Sequence, residues 1–135
     1  MSTGTIDQGR PRFLVAHSVI GMRNLLRRDL SAGNYTYVDE VADMPGVWKR
    51  LMKEPRIECL VISEGLDGSI TCHDFITRIK AGPLNDIPIL LLLSSHPSTE
   101  VVGAWGKLGV TGVMYELCTR RDFLRIVLEV LSKAT

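Results

Sequence analysis

No stretch of this chain is long and apolar enough to cross a membrane. The longest hydrophobic run, Ile87 to Leu93, is seven residues and contains a proline, where a spanning helix needs about 20. Charge of one sign is missing as well: 16 Lys and Arg stand against 15 Asp and Glu. The basic pairs Arg27-Arg28, Lys49-Arg50 and Arg120-Arg121 are scattered like solvated helix faces. That gives no electrostatic basis for binding nucleic acid or a membrane surface. Cysteine is scarce and unpaired. Cys59, Cys72 and Cys118 are an odd number without C-x-x-C spacing. Cys59 lies in an apolar run and Cys72 on a helical stripe, so they read as buried free thiols in a reducing cytoplasm, not as a disulfide framework. No G-x-G-x-x-G follows the first strand, and the stretch GAWGKLG lies within a helical pattern without the hydroxyl of a phosphate loop. No cofactor is expected. Residues 1–11 lack the apolar core of a signal peptide and read as a flexible arm ahead of a single domain over 12–135.

What is present is a regular alternation of short apolar runs and helical stripes. Phe13 to Ala16 read as a buried strand. A helix follows from about Ile20 to Leu30, with Met22, Leu25, Leu26 and Leu30 on one face and Arg23, Arg27 and Arg28 outward. Gly33-Asn34 ends it, and YTYVDEVA alternates as a half-covered strand does. Asp43 can cap a second helix carrying Met44, Val47, Trp48 and Leu51 on one side. ECLVIS is a third strand, and Cys72, Phe75, Ile76 and Ile79 stripe a third helix. ILLLLSS supplies a fourth strand, and Pro97 and Ser98 open a helix that aligns Val101, Ala104, Trp105 and Leu108. GVTGVMYEL holds a short fifth strand, and Thr119 with Asp122 starts a last helix ending near Ser132.

Short buried strands joined by single helices demand right-handed crossovers and a parallel sheet covered on both faces. The fold class is α/β: a three-layer α/β/α, flavodoxin-like, doubly wound five-stranded sheet of order 2-1-3-4-5. In such a fold the chemistry gathers beyond the carboxyl ends of the strands. Those positions are His17 and Ser18 after strand one, Glu64 after strand three, Ser94 and Ser95 after strand four, and Glu116 after strand five.

LVAHSVIGMRNLL, LVISEGLDG, DIPILLLLSS and LGVTGVMYEL, in that order and spacing, resemble the receiver domain of bacterial response regulators from about Arg12 to Leu131. The resemblance implies a phosphorylation pocket, and its residues are changed here. The acidic pair that holds Mg²⁺ in the family is His17-Ser18, the phosphoacceptor Asp is Glu64, and the Lys after strand five is Glu116. Only the hydroxyl after strand four remains, as Ser94, or as none if the ungapped alignment puts Leu93 there. Mg²⁺ requires near-octahedral oxygen ligation with one or two carboxylates, and phosphoryl transfer requires cations clamping the developing charge. His17, Ser18, Glu64, Ser94 and Glu116 therefore read as a degenerate pocket.

Three functions follow from this reading. One is an atypical, non-enzymatic receiver in two-component signalling, working by protein–protein contact. Another is a receiver phosphorylated weakly or at another residue. The third is a small metal- or ligand-binding domain using a His17/Glu64/Glu116 crevice, against which stands a plain ion pair with His17 cationic between carboxylates. The last helix adds a clue. It carries two stripes, Phe123, Ile126, Val127 and Val130, then Leu124, Leu128 and Leu131. One stripe suffices to cover a sheet, so the second is either buried or a partner-binding face. By the resemblance, that face is the surface of the fourth helix, fifth strand and last helix, contacting signalling proteins or a second copy.

Overall fold

Uninterrupted apolar sequence sets the middle of the sheet. β3 (Cys59–Ser63) and β4 (Ile89–Leu93) are buried at every position, and β1 (Phe13–Ala16) likewise. The computed structural model describes residues 11–133, so the arm expected over residues 1–11 lies, apart from Pro11, outside the described residues. β2 (Val38–Val41) and β5 (Gly112–Tyr115) form the edges. All pairings are parallel, in the order β2-β1-β3-β4-β5. This is the doubly wound order that the sequence pattern implies.

Pleating sends alternate side chains into two apolar layers. Leu14, Leu60, Ile62, Ile89 and Leu91 face α2 (Met44–Leu51), α3 (Cys72–Ala81) and α4 (Thr99–Leu108). Phe13, Val15, Val61, Leu90 and Leu92 face α1 (Ile20–Ala32) and α5 (Arg120–Lys133). Each fully buried large side chain is worth roughly 1.5–3 kcal/mol. Helix starts follow their caps: Asp43 accepts from the Gly46 amide, Thr71 from Asp74 and Ser98 from Val101. α4 ends at Gly109, whose φ of 109° is a left-handed conformation that a side chain would strain.

Three elements differ from the sequence pattern. Only Val38–Val41 of YTYVDEVA is strand. The Phe13 amide still donates to the Tyr37 carbonyl at 2.8 Å, while Tyr35 sets its ring edge-on against Phe13, 5.2 Å between centroids. On α1 the buried residues are Leu26, Asp29 and Leu30, while Leu25 is exposed. Arg23, expected outward, is largely covered and donates to the His17 carbonyl. On α4 the expected stripe is shallow. Val101 and Ala104 are exposed, and only Trp105 and Leu108 reach the core, half-buried.

Candidate functional site

β1 delivers His17 to the carboxyl edge, where it is 5% exposed. Its amide donates to the Val41 carbonyl, and Arg23 Nη1 donates to its own carbonyl at 2.7 Å. The ring is fixed from both ends. The Val19 amide donates to Nδ1 at 3.1 Å, and Nε2 faces the Glu116 carboxylate at 3.3 and 3.4 Å. Since Nδ1 accepts, these partners assign the ring proton to Nε2, which donates to Glu116. His17 is thus held against one carboxylate, Glu116, and not between two.

Ser18 is also committed to structure. Its hydroxyl donates to the Ala42 carbonyl at 3.2 Å and accepts from the Asp67 amide at 2.9 Å. The Met44 amide donates to the Asp67 carbonyl at 2.8 Å. Together these bonds stitch the loop after β3 to the loop after β2, and the two meet in a parallel bridge at Asp43 and Asp67.

Glu64 points elsewhere. Strand alternation puts it on the side of Leu60 and Ile62, whereas His17 follows Phe13 and Val15. It is exposed, with no side-chain hydrogen bond or ion pair among the described residues, and borders a hollow of about 380 Å³ with Thr71, Cys72, His73 and Trp105. The His17/Glu64/Glu116 metal or ligand crevice is thus not assembled. Two of the three meet and the third faces away, and no group of three His, Cys, Asp or Glu among the described residues could hold a metal ion. The nearby Cys72 thiol is pushed up to about 12, first by burial and then by the charge of Glu64.

The register also fixes the fourth position. Ser63 pairs with Leu92 and the Glu64 amide donates to the Leu92 carbonyl, so Glu64 is level with Leu93. Leu93 is 4% exposed, and Ser94 follows the strand, exposed. The hydroxyl expected at Ser94 is therefore replaced by an apolar side chain, as in the ungapped alignment. Tyr115 stacks at 4.2 Å on His96 from the loop after β4, while Val113 packs against the α2–α4 core.

Mg²⁺ does not fit this donor set. Both nitrogens of His17 and both directions of the Ser18 hydroxyl are already used, and the two carboxylates are divided, Glu116 bonded to His17 and Glu64 facing the other side of the sheet edge. The sequence pattern misses Arg23, because an arginine at an outward helical position looks solvated; its proximity to the end of β1 is visible only in the fold. It also misses Asp29, buried on α1 and paired to Arg120 of α5 at 2.9 Å.

The second stripe of α5 divides. Leu128 is 61% exposed, whereas Leu124 and Leu131 pack in part against the α1–α5 core. Leu124 lies so close over Gly33, just past the end of α1, that a Cβ there would sit 2.7 Å from its Cδ2. The stripe therefore turns toward α1. The α4–β5 side of the helix instead presents Ile126, Glu129 and Lys133, along a groove of about 510 Å³.

No protein-family model and no curated protein matches this sequence. Solved structures do match in shape. A chemotaxis response regulator of Vibrio cholerae superposes with a TM-score of 0.79 at 19% identity, over 90% of this chain and 99% of that one. The signal receiver domain of a putative Luxo repressor protein from Vibrio parahaemolyticus gives 0.77 at 14% identity, over 93% and 92%. A putative response regulator from Chloroflexus aurantiacus gives 0.79 at 17%, over 91% and 98%. No described helix is long and apolar enough to cross a membrane. With its five-stranded order and these likenesses, the chain has the fold of the response-regulator receiver domains.

Proposed function

We propose that this chain is a non-enzymatic receiver-type signalling domain whose phosphorylation pocket is retired, and that it works by protein–protein contact. The observation that carries the reading is the use already made of the pocket. His17 and Glu116 bond to each other, Ser18 ties two loops together, and Leu93 stands beside Glu64. Glu116 places a negative charge where the charge of a phosphoryl group must be neutralised. Within this reading, Leu128 is what the stripe of Leu124, Leu128 and Leu131 offers a signalling partner or a second copy, since the other two are half committed to the core. The free thiols fit a cytoplasmic setting.

Incubation with acetyl phosphate and Mg²⁺, read by intact mass, is expected to leave the chain unmodified. His17→Asp alone is expected to stay unmodified as well, because Glu116 still repels the incoming group. A phosphoryl adduct on wild-type Glu64, or on any other residue, would overturn the retired-pocket reading and favour a receiver that is still phosphorylated.

A further inference from the structure

A second hollow lies between α2 and α3, and its lining differs from that of the carboxyl-edge crevice. Met44 and Phe75 are buried there, and Trp48 and Ile70 are half-buried. The Trp48 ring meets Phe75 edge to face, 5.6 Å between centroids. Its volume, about 460 Å³, lies within the roughly 300–1,000 Å³ of small-molecule sites. Lys49 and Arg78 line the same hollow and are exposed. Neither makes a hydrogen bond or ion pair among the described residues, although the neighbouring Arg50 is engaged by Asp39 at 2.6 Å. The hollow thus combines a mostly apolar, aromatic interior with two uncompensated cations.

We infer that this α2–α3 hollow binds a small organic anion: an aromatic or bulky aliphatic body bearing one carboxylate. The body packs against Trp48, Phe75, Met44 and Ile70, and the carboxylate is recognised by Lys49 and Arg78. Aromatic rings favour edge-to-face or offset packing on such walls. An ionised acceptor makes the stronger class of hydrogen bond with lysine and arginine, and with arginine it can be bidentate. The site needs nothing from His17, Glu64 or Glu116, so it stands or falls separately from the retired-pocket reading.

The test titrates the full chain with 1-naphthoate and, in parallel, with the uncharged 1-naphthalenemethanol. Binding is followed by calorimetry and by amide shifts in the NMR spectrum. Saturable one-to-one binding of naphthoate is expected, with shifts confined to α2, α3 and the Ser69-Ile70 segment. The neutral analogue should bind at least about tenfold more weakly, the scale of a lost charge-assisted hydrogen bond. The double variant Lys49→Gln, Arg78→Gln alters two exposed side chains and should keep the wild-type circular dichroism while losing naphthoate affinity to the same degree. Absence of saturation at millimolar naphthoate, shifts centred elsewhere, or equal affinity for the neutral analogue would each overturn the proposal. Undiminished binding of naphthoate by the double variant would do so too, by reducing the hollow to an unselective apolar surface.

Discussion

Val127→Glu is expected to unfold this domain, whereas Leu128→Glu, one residue along, leaves it folded. Val127 is fully buried in the layer between the sheet and α5, beside Phe123 and Val130. A carboxylate there finds no cationic partner in an apolar cluster, and an uncompensated buried charge costs about 3–5 kcal/mol. That is a large part of the roughly 5–15 kcal/mol that holds a domain together. Leu128 is 61% exposed, and exposed substitutions stay within about 0.5 kcal/mol. Urea denaturation followed by circular dichroism should give a normal midpoint for Leu128→Glu and little or no folded baseline for Val127→Glu. The folded Leu128→Glu variant then tests the contact face. Loss of self-association in light scattering, or of partner binding, supports a role for Leu128. Mass and binding identical to wild type would remove it from the interface.

A steep loss of stability is expected above pH 9. Burial pushes the Cys59 thiol up from 9.0 to about 12, and burial together with the charge of Glu64 does the same to Cys72. As the pH rises through the ordinary thiol range, the unfolded chain releases these protons while the folded chain retains them, so the equilibrium shifts toward unfolding. The stabilising contribution is thus complete below the unfolded value and is lost progressively until the folded value is reached. Each thiol contributes about 1.4 kcal/mol per pH unit in that window. Urea midpoints measured from about pH 8 to about pH 11 should therefore fall more steeply for wild type than for Cys59→Ala, Cys72→Ala. The difference should reach about 3 kcal/mol per pH unit at most. Parallel curves would mean that the thiols ionise as freely in the folded protein as in the unfolded one.

How far the sequence discloses this molecule depends on the scale of the force involved. β3 and β4 are legible because CLVI and ILLLL are continuous apolar runs, the pattern of a strand buried on both faces. The helix starts at Asp43, Ser98 and Thr119 are legible because capping is a bond across three residues. The site is legible only as a set of edge positions. That His17 meets Glu116 and not Glu64 depends on strand parity at the sheet edge, which becomes visible once register is fixed. The same register moves the fourth pocket position from Ser94 to Leu93. Asp29 escapes notice for a different reason: its burial is compensated by Arg120, 91 residues away, a distance over which helical periodicity carries no information.

The shallow seating of α4 has a consequence for how this domain breathes. Among the described residues it is the one helix without a buried residue, and at Gly103 and Gly106 an added Cβ would meet nothing within 4 Å. Each such glycine also forgoes about 1 kcal/mol of helix propensity relative to alanine. A segment held so lightly opens locally at far less free energy than the sheet beneath it, and its amides exchange with solvent through that opening while β3 and β4 stay closed until the whole chain unfolds. α4 is accordingly expected to exchange its amides as a unit separate from the sheet, which hydrogen exchange at Thr99–Leu108 against β3 and β4 would show.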